Sequence, residues 1–159
     1  MKPFPNHFTL FLDRDGVINR RIPGSYVKDC SAFEFLEGSL EAVIGFRDLF
    51  TRIVVVTNQQ GIGKGIMTTE DLNEVHDHML KAINSAGGHI DKVYHCPKLA
   101  SLNPRCRKPN PGMGEKAQAD FPEIQFKESV MVGDSLSDME FGIRLGMTTV
   151  FITLSLIHI

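Results

Sequence analysis

Seven polar residues of the sequence could together bind a phosphorylated compound and a metal ion. They comprise four carboxylates, a hydroxyl, an amide and a cation: Asp13, Asp15, Thr57, Asn58, Lys108, Asp134 and Asp138. Several carboxylates at one site repel each other unless a cation lies among them, and ligands that are all oxygen favour Mg²⁺. Magnesium pairs with phosphate oxygens, which the hydroxyl, amide and ammonium groups could hold from the other side. These residue types therefore predict a magnesium-dependent phosphate site.

The predicted secondary structure brings these residues to one edge of a sheet. Strands are predicted over residues 8–13, 52–57, 89–95, 129–133 and 148–153. Helices are predicted over 38–50, with Ser39 as its N-cap, 67–88, with Thr68 or Thr69 as its N-cap, 112–121 and 138–146. This alternation predicts an α/β fold, a doubly wound parallel sheet with helices on both faces. Ligands of such folds bind at the carboxyl ends of the strands, where the polar residues follow.

The composition is that of an ordinary folded domain. The chain has 159 residues, of which 42% are hydrophobic and 23% charged. Its 17 basic and 19 acidic residues give a net charge of −2, which provides no attraction to nucleic acid or to an anionic membrane. No apolar run approaches the ~20 residues that span a bilayer, and no signal peptide is expected. Three cysteines are too few for a disulfide scaffold, so we expect a cytoplasmic protein, and a monomer.

Four stretches of the sequence resemble, in the same order, the four motifs of the haloacid-dehalogenase superfamily phosphatases. These stretches are LFLDRDGVIN, VVVTNQQGIGKG, CRKPNPGM and MVGDSLSD. The resemblance extends from about residue 8 to about residue 153, and it is closer to the subgroup that acts on heptose bisphosphate and histidinol phosphate. It implies a Rossmann-like fold without a large cap domain.

The resemblance also implies a role for each matching residue. Asp13 would be the nucleophile that becomes an aspartyl phosphate, and Asp15 would be the general acid and base. Mg²⁺ would be bound by Asp134, the Asp13 side chain and the Asp15 carbonyl group. Thr57 would hold the phosphoryl oxygens, and Lys108 would neutralise their charge. Asp138 is expected to support the site rather than to bind the metal. Further substrate contacts would come from Tyr26, Asn58, Gln59, Gln60 and Arg107.

The implied activity is hydrolysis of a phosphomonoester on a small phosphorylated metabolite. The stretches INRRIPGSYV and CRKPNPGM favour removal of the 7-phosphate of heptose 1,7-bisphosphate, and histidinol phosphate is the alternative substrate. Polynucleotide 3′-phosphatases share TNQ-x-G-I-G-x-G, but they need a basic groove, against which the net charge of −2 argues. A signalling receiver domain would be a binding module rather than an enzyme. It would carry its phosphoacceptor aspartate on a later strand than the first.

One loop departs from the pattern of the subgroup. Members of the subgroup bind a structural zinc ion through a Cys-x-His pair and a Cys-x-Cys pair. The matching positions here read CPK (96–98) and PRC (104–106), so two of the four ligands are absent. Structural zinc needs four ligands. We therefore expect no zinc, with Cys96 and Cys106 as remnants of the site.

The C-terminal tail is the second departure. The last six residues, LSLIHI (154–159), are the translation of a transposon mosaic end that is used to prepare sequencing libraries. We therefore expect one phosphatase domain over residues 1–153, truncated at its C-terminal side, and a tail that is not native. The alternative is a short apolar terminal strand.

Overall fold

Strands and helices alternate along residues 7–153, the part of the chain that the structure, a computed structural model, describes. The strands are β1 (Thr9–Leu12), β2 (Arg52–Asn58), β3 (Lys92–Cys96), β4 (Ser129–Gly133) and β5 (Thr148–Phe151). The α-helices are α1 (Ser39–Phe46), α2 (Thr69–Ser85), α3 (Gly112–Asp120) and α4 (Leu136–Leu145). Single 3₁₀ turns occur at Cys30–Ala32, Ala100–Leu102 and Phe126–Glu128. The tail LSLIHI lies outside the described residues.

The five strands form one parallel sheet in the order β3-β2-β1-β4-β5. Strand β1 lies at the centre, and its Leu12 is in register with Val55 of β2 and Val132 of β4. From β1 the chain builds the sheet first towards β3, and it then crosses to the other side for β4 and β5. The predicted doubly wound sheet is confirmed. A crevice for ligands is expected where the direction changes, beyond the carboxyl ends of β1 and β4.

Both faces of the sheet are covered, because successive strand residues point to opposite sides. One face packs on α1 and α2 through Leu10, Leu12, Ile53, Val55, Val130, Val132, Val43, Val75, Met79 and Ile83. The other face packs on α3 and α4 through Phe11, Val54, Val56, Met131, Met113, Ala117 and Phe141. This double burial explains why the central strands are nearly continuous apolar runs. Within residues 7–153, no helix is both long enough and apolar enough to cross a membrane.

The helix starts follow the predicted caps in one case and differ in another. Thr68 caps α2: its hydroxyl accepts from the Asp71 amide at 3.0 Å, and the Asp71 carboxylate accepts from the Thr68 amide at 2.8 Å. The predicted cap of α1 is wrong. Gly38, in a left-handed conformation, precedes this helix, and the Ser39 hydroxyl donates to two backbone carbonyls instead. Helix α1 also ends at Phe46 rather than at residue 50.

Candidate active site

The ammonium group of Lys108 lies buried between two carboxylates. Its Nζ donates to Asp13 Oδ1 at 2.9 Å, to Asp138 Oδ1 at 2.6 Å and to the Val56 carbonyl at 2.8 Å. These bonds use all three ammonium hydrogens. Burial lowers the pKa of Lys108, but the two carboxylate charges outweigh burial, so this pKa is raised. Burial raises the pKa of Asp13 to about 7, although the charge of Lys108 opposes the shift.

Asp138 connects Lys108 to the start of helix α4. Its Oδ2 accepts from the Asp134 amide at 3.1 Å, and from the Ser135 amide at 3.2 Å and hydroxyl at 2.8 Å. Ser135 and Asp138 form the capping box of α4. A side chain at Gly133 would collide with Asp138, so this close approach requires glycine. Asp138 therefore contacts both Lys108 and the turn that presents Asp134.

Three donors hold the carboxylate of Asp15. Its Oδ1 accepts from Arg14 Nη2 at 2.8 Å and Asn19 Nδ2 at 2.9 Å, and its Oδ2 accepts from Gln59 Nε2 at 3.0 Å. Burial raises the pKa of Asp15, but the charge of Arg14 and the three hydrogen bonds outweigh burial and lower this pKa. Gln59 also donates to Thr57 Oγ1 at 2.8 Å. Gln59 is buried and its amide contacts Asp15, which lines the cavity, so its substrate contact stays a prediction.

Asn58 fixes the loop that carries Lys108. Its side-chain amide donates to the Lys108 carbonyl at 3.2 Å, and its side-chain oxygen accepts from the Lys108 amide at 3.0 Å. The loop is thereby docked on the end of β2. Asn58 lines the cavity, as predicted for a substrate contact. However, both its side-chain NH₂ group and its side-chain oxygen are hydrogen-bonded to the backbone of Lys108. These two bonds tie Asn58 to the backbone of Lys108, and its contact with substrate stays a prediction.

Oxygen ligands for a metal ion converge at the same edge of the sheet. Three carboxylates have oxygens within 4.8 Å of one another: Asp13, Asp134 and Asp138. Arg21 Nη2 lies 3.0 and 3.1 Å from the two Asp134 oxygens and 3.3 Å from the Asp15 carbonyl oxygen. This guanidinium shows that the donor set accommodates a positive charge, and hard oxygen donors suit Mg²⁺. Gly16, at φ +85°, permits the arrangement because a side chain there would collide with Asp134.

A cavity of about 480 Å³ opens beside Asp13 and Asp15. Among its lining residues are the predicted substrate residues Tyr26, Asn58, Gln60 and Arg107, and two further cations, Arg21 and Lys64. Arg107 Nη1 is buried and has no hydrogen-bond partner within residues 7–153. Lys64 Nζ lies 5.4 Å from the centre of the Tyr26 ring, within reach of a cation–π contact. The cavity therefore combines the carboxylates of the site with several cations.

Four residues of this site were not predicted: Arg14, Asn19, Arg21 and Lys64. Arg14 lies between Asp13 and Asp15, and Lys64 lies within the second motif. Their positions in these motifs could have indicated that both belong to the site. Asn19 and Arg21 lie within the stretch INRRIPGSYV, which indicated the substrate but not the contact of Arg21 with Asp134. Thr57 lies where it was predicted, at the end of β2, and it is 1% exposed.

Cys96 and Cys106 are joined in a disulfide. Cys96 ends β3, Cys106 lies in the loop before Lys108, and their Cα atoms are 5.3 Å apart, a separation typical of disulfides. The two cysteines, expected only as remnants of a zinc site, are joined to each other instead. Each sulfur binds the other, so neither thiolate is available to zinc unless the bond is reduced. Cys30 is a free cysteine.

Comparisons with known proteins agree with this fold and site. Residues 105–154 match the Hydrolase_like family, described as HAD-hydrolase-like. The chain is 43% identical to the D-glycero-alpha-D-manno-heptose-1,7-bisphosphate 7-phosphatase of Mycobacterium tuberculosis over 85% of this chain and 71% of that protein. It is 40% identical to the protein of the same name from Campylobacter jejuni over 90% of this chain and 80% of that protein.

A solved structure is similar over nearly the whole chain. It is D,D-heptose 1,7-bisphosphate phosphatase from B. bronchiseptica, complexed with magnesium and phosphate, with a TM-score of 0.82 and 32% identity. The match covers 94% of this chain and 79% of that one. The fold, the site and these relatives define the protein as a phosphatase. The chain belongs to the haloacid-dehalogenase superfamily.

Proposed function

We propose that the protein hydrolyses phosphomonoesters through an aspartyl phosphate formed on Asp13. The observation that carries this proposal is the pairing of Asp13 with Lys108 beside a fixed Asp15, at a cavity open to substrate. Because its pKa is lowered, Asp15 first takes up a proton from the bound phosphate monoanion. An Asp13 oxygen attacks phosphorus, the bond from phosphorus to the alcohol oxygen breaks, and Asp15 passes that proton to the alcohol oxygen. Asp15 then takes a proton from water, whose oxygen bonds to phosphorus. The bond to Asp13 breaks, and inorganic phosphate leaves.

Lys108 and Thr57 assist this reaction in different ways. The Lys108 ammonium reduces the repulsion between the Asp13 carboxylate and an incoming phosphoryl anion. The Thr57 hydroxyl accepts from Gln59, which leaves its own hydrogen free to donate to a phosphoryl oxygen. Both side chains are buried, so their interactions with the phosphoryl group would be little weakened by water.

Mg²⁺ would be held by the carboxylates of Asp13 and Asp134 and by the carbonyl oxygen of Asp15. The contact of Arg21 with Asp134 and Asp15 supports the fit of a cation at these donors. When bound, Mg²⁺ supplies positive charge that neutralises the phosphoryl oxygens.

We further propose heptose 1,7-bisphosphate as the substrate, with loss of its 7-phosphate. The names of the relatives support this choice. The cavity supports it independently, because Arg21, Lys64 and Arg107 could hold a second phosphate while the first lies at Asp13. A guanidinium binds phosphate in a bidentate manner. Histidinol phosphate carries an ammonium group instead of a second phosphate, and these cations would repel it.

Phosphate release from a substrate panel tests the activity and the substrate separately. The panel contains heptose 1,7-bisphosphate, histidinol phosphate and 4-nitrophenyl phosphate, each with and without Mg²⁺. We expect Mg²⁺-dependent release, fastest from the bisphosphate, with heptose 1-phosphate as the product in ³¹P spectra. Asp13→Asn should abolish turnover because an amide cannot form the acyl phosphate. An active Asp13→Asn variant would reject the nucleophile, and preference for histidinol phosphate would reject the substrate.

Arg107→Ala tests the second phosphate subsite. A charge-assisted hydrogen bond is worth ~1.5–3 kcal/mol, so kcat/KM for the bisphosphate should fall roughly 10- to 100-fold. The value for 4-nitrophenyl phosphate should change little. Arg105→Ala is a matched control, because Arg105 lies in the same loop but is exposed and pairs with Glu115. Equal losses on both substrates would show that Arg107 does not recognise the second phosphate.

A further inference from the structure

A buried chain of side chains joins helix α2 to the Asp15 carboxylate. Arg14 is 0% exposed, and its Nη2 donates to Asp15 Oδ1 at 2.8 Å. The other terminal nitrogen, Nη1, lies 3.0 Å from Nε2 of His76. His76 belongs to α2 and is itself buried, at 6% exposure. The guanidinium is therefore held between the carboxylate at one end and an imidazole from a distant helix at the other.

The surroundings determine the charge and the tautomer of His76. Burial, the charge of Arg14 and the nearby His95 together lower the pKa of His76 to about 3, against the opposing charge of Asp15. The ring is therefore neutral at neutral pH. Arginine has only donors, so His76 Nε2 must accept from Arg14, and the ring hydrogen lies on Nδ1. A neutral acceptor holds the guanidinium without cancelling its charge, which remains directed at Asp15.

We propose that His76 is a positioning residue for phosphoryl transfer, because it holds Arg14 in the place from which Arg14 orients the Asp15 carboxylate. The inference rests on the proposed role of Asp15 as general acid and base. Arg14 Nε has no hydrogen-bond partner in the described part of the chain. The guanidinium is thus fixed there by its two terminal nitrogens, and loss of the imidazole removes one of these two attachments.

Leaving-group dependence distinguishes this role from a merely structural one. A general acid matters most for poor leaving groups such as sugar alcohols, and least for 4-nitrophenolate, which departs without a proton. A misplaced Asp15 should therefore slow the transfer of the phosphoryl group to Asp13 selectively for alkyl phosphates. A general loss of stability or folded fraction would lower the rates of both substrate classes by the same factor.

The experiment compares kcat/KM, which reports formation of the aspartyl phosphate and not its later hydrolysis, for a sugar phosphate and for 4-nitrophenyl phosphate in the full chain with Mg²⁺ present. His76→Leu should lose about 10- to 100-fold on the sugar phosphate and less than about threefold on the aryl phosphate. His76→Gln should recover most of the loss, because its side-chain oxygen can accept from Arg14. His78→Leu, an exposed position on the same helix, is the matched control and should leave both rates unchanged.

Equal losses of His76→Leu on both substrates, or no loss on either, would overturn the proposal. If His76→Leu fails to fold, Arg14→Met provides the same test, because it removes the guanidinium at similar volume. It must then show the loss that is selective for the sugar phosphate, and a uniform loss overturns the proposal. If the wild-type protein releases phosphate from neither compound, the proposed function fails, and the role of His76 fails with it.

Discussion

Replacement of Asn58 by alanine distinguishes a residue that holds the Lys108 loop from one that binds substrate. Two hydrogen bonds, at 3.0 and 3.2 Å, join the Asn58 side chain to the amide and carbonyl of Lys108. Alanine removes both bonds. The same loop carries Arg107, so its displacement would disturb both the buried lysine and the proposed recognition of the second phosphate.

The expected magnitude follows from these two bonds. Each is worth about 1 kcal/mol, so Asn58→Ala should lower the free energy of unfolding by about 2 kcal/mol. For a protein of this size, that loss corresponds to a fall in Tm of about 4–8 °C. Turnover should also fall, by about tenfold, because Lys108 Nζ reaches Asp13 from the backbone that Asn58 fixes.

Urea unfolding followed by circular dichroism measures the stability, and phosphate release from 4-nitrophenyl phosphate measures kcat and KM. Gln60→Ala is the control. Gln60 lines the same cavity, but its side chain accepts from the Ala100 amide rather than from the Lys108 loop. This variant should lose about 1 kcal/mol at most and keep its kcat. Unchanged stability of Asn58→Ala together with a raised KM would refute the loop-holding role and restore direct substrate binding.

Three further outcomes can be checked. Gly16→Ala should abolish Mg²⁺ binding in calorimetry, because its side chain would collide with Asp134, and wild-type affinity would contradict this collision. Arg21→Ala should tighten Mg²⁺ binding by about two- to fivefold, because it removes a half-exposed ion pair with Asp134 that is worth up to ~1 kcal/mol. Arg20→Ala is the control. Weaker Mg²⁺ binding by Arg21→Ala would contradict competition between Arg21 and the metal ion for Asp134. In the folded protein, buried His76 has a pKa of about 3 and stays neutral between pH 4.5 and 6.5, whereas in the unfolded chain it binds a proton in this range. The free energy of unfolding should therefore rise with pH between 4.5 and 6.5. His76 should contribute about 1.4 kcal/mol per pH unit to the slope of the free energy of unfolding, measured by urea unfolding, against pH. This contribution should be missing in His76→Gln. Identical slopes for the two proteins would contradict a neutral buried imidazole.

The fold could be predicted because its main determinants are local in the sequence. Val54, Val55 and Val56 are β-branched and buried on alternating faces, so the strand they form needs no information from distant residues. The strand predicted over 129–133 matches β4 residue for residue for the same reason. Once strands and helices alternate, the preference for right-handed crossovers leaves few topologies. The convergence of Asp13 and Asp134 at one edge then follows.

The partners of the polar side chains could not be predicted in this way. Gln59 and Gln60 are adjacent and identical in type, yet the first is buried against Asp15 and the second contacts the Ala100 amide at the cavity. Cys96 and Cys106 were recognised as a pair of positions, but the path of the loop between them decides that their sulfurs meet. Such choices depend on where the loops place each side chain, to within an ångström.

The sequence by itself therefore determined the parallel sheet, its strand-end carboxylates and their order, because hydrophobic periodicity and chain connectivity are properties of short segments. Only the tertiary structure decided that Arg21 contacts Asp134 and that His76 holds Arg14. A hydrogen bond needs its donor and acceptor atoms about 3 Å apart. Its formation depends on the packing of segments that are far apart in the chain, and no local pattern of residues encodes that packing.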